Sequence, residues 1–184
     1  MALGAVALTG CSNDGHKAAS FEIPDTACWG AFSGNEIEKI APEGKKASSD
    51  ITNSFDLYNG KESAICSVYV DGNTAFLASA NRYPVENPAE LRSLIKDRPH
   101  LSSIPVRDRG WVWDTGSATT FTCERPVSHA SKDPQHPNSE KYIVLELSAF
   151  SSPDKELTRR TLEKMMVNFR DFAAKKLLCK NAHS

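Results

Sequence analysis

A chain of 184 residues, 40% hydrophobic and 24% charged, has the size and make-up of one globular domain with a short tail, which excludes wholesale disorder. The 22 basic and 23 acidic side chains leave a net charge of −1, so there is no cationic excess to hold a nucleic-acid backbone. No apolar run reaches the roughly 18 residues that span a bilayer.

Residues 1–8 (MALGAVAL) are apolar or small and lead into Thr9-Gly10-Cys11, after which the chain turns polar. A short apolar stretch ending in small residues is the pattern of an export signal and its cleavage site. Leu8-Thr9-Gly10-Cys11 resembles the lipobox of bacterial lipoproteins: an aliphatic residue, a small one, Gly or Ala, then Cys. The resemblance implies a diacylglyceryl group on the Cys11 thiol, cleavage just before Cys11, and attachment to the outer side of the cell membrane. Two acyl chains anchor stably, at about 0.8 kcal/mol per buried methylene, where one is marginal. The Lys/Arg-rich region that usually precedes the apolar stretch is missing, so the true start is expected upstream.

Five cysteines occur, and once Cys11 is assigned to lipid an even number remains: Cys28, Cys66, Cys123 and Cys179. In an oxidising compartment these thiols are expected to pair. Four cysteines allow three connectivities. Cys28–Cys66 with Cys123–Cys179 is favoured, because each bridge would tie a helix to a nearby strand. Each is expected to contribute about 3–4 kcal/mol in the chain-entropy picture. No CxxC pair exists, so a metal site is not expected, and no cofactor is expected either.

Residues 1–10 are thus a signal remnant, residues 11–20 a lipidated cysteine and flexible tether, and residues 21–184 a single ectodomain. Ser33 with Glu36 forms a capping box for a short helix carrying Ile37 and Ile40, which Pro42 and Gly44 stop. Residues 43–50 are expected to form a loop. Residues 54–58 alternate as a strand and Asn59-Gly60 turns the chain. Residues 64–70 and 74–83 form a hairpin about Asp71-Gly72, with Cys66, Val68 and Val70 on one face. Asn87-Pro88-Ala89-Glu90 opens a helix of about ten residues in which Leu91, Leu94 and Ile95 share a face. Residues 104–114 and 117–124 make two more strands, and residues 126–140 an exposed loop. Residues 141–150 (KYIVLELSAF) have the continuous apolar centre of an inner strand. Ser152-Pro153 caps the longest helix, which runs to about Leu178 with Leu162, Met165, Met166, Phe169 and Ala173 in one stripe. The order predicts an α+β fold: a mainly antiparallel sheet packed against a long C-terminal helix, with two shorter helices and two disulfides. A cysteine before a short helix, a second in an early strand and a long final helix are also similar to actinobacterial surface lipoproteins of uncharacterised role.

Candidate sites are few. Asp114-Thr115-Gly116-Ser117 resembles the catalytic loop of aspartic proteases, which need two such loops; one is present, and a hairpin turn explains it equally well. His129, Asp133 and His136 lack metal-ligand spacing and are expected to be solvated. Arg159, Arg160 and Lys164 with Glu156 and Glu163 are the solvated face of the last helix. Trp111 and Trp113 share a face of one strand: exposed, they would form a platform for a sugar or peptide; buried, they are core beneath the long helix. The expectation is a non-enzymatic binding or accessory module at the cell envelope, engaging a protein, peptide or wall polymer. One alternative is a small envelope hydrolase whose site assembles only in the fold, and another is a domain that only stabilises an envelope complex.

Overall fold

Alternating inward apolar and outward polar residues build one antiparallel sheet in the computed structural model, which describes residues 23–58, 61–82, 88–106, 109–124 and 142–180. Its seven strands lie in the order β3 (Ala47–Ile51), β4 (Ser63–Val70), β5 (Asn73–Arg82), β9 (Tyr142–Ala149), β8 (Gly116–Thr122), β7 (Arg109–Trp113) and β6 (Ser102–Ile104). A separate ribbon pairs β1 (Thr26–Ala27) with β2 (Phe32–Ser33). The helices are α1 (Gly34–Glu38), α2 (Pro88–Ile95) and α3 (Lys155–Lys176). The α+β class, the long terminal helix and both disulfides agree with the sequence.

On the inner face of the sheet, Cys66, Val68, Phe76, Ala78, Leu145, Leu147 and Phe121 meet the α3 stripe. Leu162, Met165, Met166, Phe169 and Ala173 are all fully buried there. Phe169 is the hub of an aromatic cluster, with ring centroids 5.1 Å from Phe32, 5.9 Å from Phe55 and 6.3 Å from Trp29. The Trp29 indole N–H is satisfied by the Asn53 carbonyl at 2.9 Å. The bridges are Cys28–Cys66, from the β1–β2 turn to β4, and Cys123–Cys179, from the end of β8 to the residues just after α3.

Local chemistry sets the boundaries. The Ser33 hydroxyl accepts from the Glu36 N–H and the Glu36 carboxylate accepts from the Ser33 N–H, which completes the capping box of α1. Asp71 and Gly72 have φ of 49° and 83°, the pair of positive angles that a two-residue hairpin requires. The cap of α3 is Asp154, whose carboxylate accepts from the Leu157 N–H at 2.9 Å; Ser152-Pro153 lies just ahead of it. At the other end Leu178 sits at φ 59°, and the N–H groups of Leu178 and Cys179 return to the Lys175 and Ala174 carbonyls. This Schellman ending turns Cys179 back toward Cys123.

Besides the α3 cap, which is Asp154 in place of the expected Ser152-Pro153, four local expectations change. Residues 47–51 are an edge strand, because polar Ser48, Ser49 and Asp50 can pair by backbone while facing water. Residues 54–58 are not a strand; Phe55 and Leu57 enter the core from a loop and are 5% and 0% exposed. The expected strand 104–114 is not continuous: Ile104 ends β6, and Arg109–Trp113 form β7. In α2, which has 8 residues, Leu91 and Ile95 face the sheet and Leu94 is 74% exposed. The expected turn at Asn59-Gly60, the Asn87 cap and the 126–140 loop lie outside the described residues.

Truncating the aromatic hub by Phe169→Ala is expected to destabilise the domain by about 3–5 kcal/mol, measured by urea unfolding. A loss below about 1 kcal/mol would mean that the cluster does not hold α3 on the sheet.

Candidate functional site

Among the described residues, the outer face of the sheet is only partly covered. Trp113, Ala118 and Val144 pack there against Leu91 and Ile95 of α2, with Leu101 and Trp111 at the margin. Both tryptophans therefore lie on the side opposite α3. Trp113 is 5% exposed and Trp111 is partly buried. The Trp113 ring covers Gly116, where an added Cβ would lie 2.3 Å from a ring carbon, so this hairpin end accepts only glycine. The Arg98 guanidinium lies over the Trp113 ring, 5.5 Å from its centroid.

Asp114 and Thr115 form the two-residue turn between β7 and β8, where Trp113 pairs with Gly116. The loop that resembles a protease motif is a hairpin turn. Asp114 is buried there, 2.9 Å and 3.1 Å from His100 Nδ1 by its two oxygens and 3.6 Å from Lys155 Nζ. Burial raises the Asp114 carboxyl, but the His100 hydrogen bond and the charges of His100, Lys155 and Arg159 outweigh it and hold the group below its ordinary value. A depressed carboxylate of this kind stabilises the fold above its unfolded pKa and loses that contribution as pH falls through the folded one. The arrangement is a clasp: it ties the segment after α2 to the β7–β8 turn and to the first turn of α3.

Between α2 and the outer face of β5 and β9 runs a groove of about 470 Å³. Glu90, Leu91, Ser93 and Leu94 of α2 form one wall, and Asn81, Val144 and Glu146 form the floor. Ser79 pairs with Glu146 across β5 and β9, and the Asn81 amide donates to the Ser79 hydroxyl at 3.4 Å. Glu146 is partly buried, and among the described residues its carboxyl makes no hydrogen bond or ion pair. Burial raises its pKa, and the charge of Arg98 pulls it down without cancelling the effect.

Cys28, Cys66, Cys123 and Cys179 come together as paired, whereas Cys11 and the His129/Asp133/His136 group lie outside the described residues. Arg159 donates to Ser102, Arg160 pairs with Glu156 at 3.8 Å on the exposed helix face, and Lys164 reaches Glu36 at 3.6 Å. Glu146 and Asn81 are new. The signal for Glu146 was a lone carboxylate in the otherwise apolar centre of residues 141–150. Among the described residues no cluster of three or more His, Cys, Asp or Glu side chains could hold a metal ion. No family model, curated protein or solved structure matches the chain.

A carboxyl whose folded pKa lies above its unfolded value contributes fully below the unfolded pKa and loses that contribution as pH rises through the folded pKa. Glu146 therefore weakens the fold at neutral pH. The variant Glu146→Gln is expected to melt above the native protein at neutral pH, with the difference closing in acid. A variant that melts lower at neutral pH would contradict the assignment.

Proposed function

We propose that the chain is an exported lipoprotein, anchored through Cys11, whose ectodomain is a non-enzymatic binding module at the cell envelope. The observation that carries the address is the pairing of Cys28 with Cys66 and Cys123 with Cys179, which leaves Cys11 of the lipobox-like tetrapeptide as the odd cysteine. Paired cysteines are the habit of extracytoplasmic proteins, and an odd one at an apolar-to-polar boundary suits acylation. The tether of residues 12–20 would hold the domain clear of the membrane.

The binding role rests on the groove. It sets the apolar side chains of Leu91, Leu94 and Val144 beside polar groups that include a partly buried carboxyl whose pKa burial raises, a combination found at ligand sites more than in structural cores. The hydrolase alternative draws on the same raised carboxyl, which could serve as a general acid. It would require turnover that disappears in Glu146→Gln.

Cells expressing the native protein with a labelled fatty acid are expected to yield labelled protein in the membrane fraction, and Cys11→Ser is expected to remove both the label and the membrane association. An unlabelled native protein among soluble contents, with free thiols at any of the four bridged positions, would overturn the proposal.

A further inference from the structure

We propose that the groove between α2 and the outer face of β5 and β9 binds a small amphiphilic cation, an apolar body carrying a protonated amine, with Glu146 as its counter-ion. The inference rests on the binding-module reading and names the ligand class of that same site.

Size comes first. A space of about 470 Å³ suits a small organic molecule. Leu91, Leu94 and Val144 offer it an apolar surface. Leu94 stands 74% exposed at the rim, where a seated hydrocarbon body would remove it from water.

Charge then selects among small molecules. Among the described residues, the two ionisable side chains lining the groove, Glu90 and Glu146, are both acidic. Arg98, the cation that acts on Glu146, is outside the lining and occupied over the Trp113 ring. An anionic ligand would add a third negative charge beside two carboxylates. A neutral apolar ligand would strip the remaining water from Glu146 and leave the carboxylate unpaired, a large penalty. A cation avoids both. Glu146 is already partly desolvated and has no hydrogen-bond or ion-pair partner among the described residues, so part of its dehydration is complete before binding. The N–H groups of an ammonium supply the charge-assisted hydrogen bonds that the carboxylate lacks.

The floor is also rigid. Glu146 sits in the middle of β9, hydrogen-bonded on both sides, with Ser79 and Ala118 as its cross-strand neighbours. The backbone that carries its carboxyl is fixed before a ligand arrives, which limits the ordering that binding must impose.

The test uses the purified full chain at neutral pH and three probes with one hydrocarbon chain and different heads: octylamine, octanol and octanoate. Binding is read from backbone amide shifts. Octylamine is expected to shift amides of β9, β5 and α2 and to bind about tenfold more tightly than octanol, with octanoate weakest. The Glu146→Gln variant, which keeps the groove's shape, is expected to bring octylamine down to the octanol affinity and leave octanol unchanged. Leu94→Ser is expected to weaken octylamine and octanol alike. Equal binding of the three heads, or an octylamine affinity unaffected by Glu146→Gln, would overturn the cation assignment while leaving a binding groove. Failure of every probe to shift groove amides would overturn the assignment and the binding role together.

Discussion

Strand β9 is the constraint on which the remainder depends. It hydrogen-bonds β5 along one edge and β8 along the other, and so joins two three-stranded halves that are otherwise separate. Its inward residues Ile143, Leu145, Leu147 and Ala149 are all buried in the core beneath α3. A shift of one residue in either register would carry that apolar set to the outer face, so both ladders are strongly specified. The disulfides then work outside this centre. One secures the β1–β2 turn to β4, and the other secures the end of α3 to the end of β8.

The two faces have different jobs. The inner face is closed by a helix of 22 residues and by the aromatic cluster around Phe169. The outer face has, among the described residues, a helix of 8 residues, which seals the tryptophan side through Leu91 and Ile95 and leaves a groove on the β5 side. The groove is that mismatch in coverage. The neighbouring tryptophan side is steadied by two contacts that use polar groups for position: Arg98 over Trp113, and the Asp114 clasp to His100 and Lys155. A site mounted on a central strand and braced from behind suits binding better than one carried on a loop.

Elements with strong periodicity were legible in the sequence. The α3 stripe, the Asp71-Gly72 hairpin and the inner position of β9 all follow from patterns that packing reinforced. The β3 edge was not legible, because an edge strand needs no apolar side chains and its sequence looks like a loop. Phe55 and Leu57 misled in the opposite direction: their alternation arises from a loop that plugs the core, with no ladder beside it. The cysteine pairing was readable from helix and strand positions. The groove was not, since it exists only once α2 lies across β5 and β9, with Leu91 and Ile95 inward and Leu94 outward. Glu146 was visible all along as one acid in an apolar strand, but the run around it dominated the pattern.

Glu146 therefore bears the weight of the functional interpretation: a carboxyl held without a hydrogen-bond or ion-pair partner among the described residues in a partly dry groove. Its titration can be followed directly by carbon NMR of the labelled side-chain carboxyl, with Glu146→Gln assigning the resonance. The result expected is a midpoint above that of the solvent-exposed glutamates, moving downward when octylamine is added. A midpoint at or below theirs, unmoved by the amine, would contradict it.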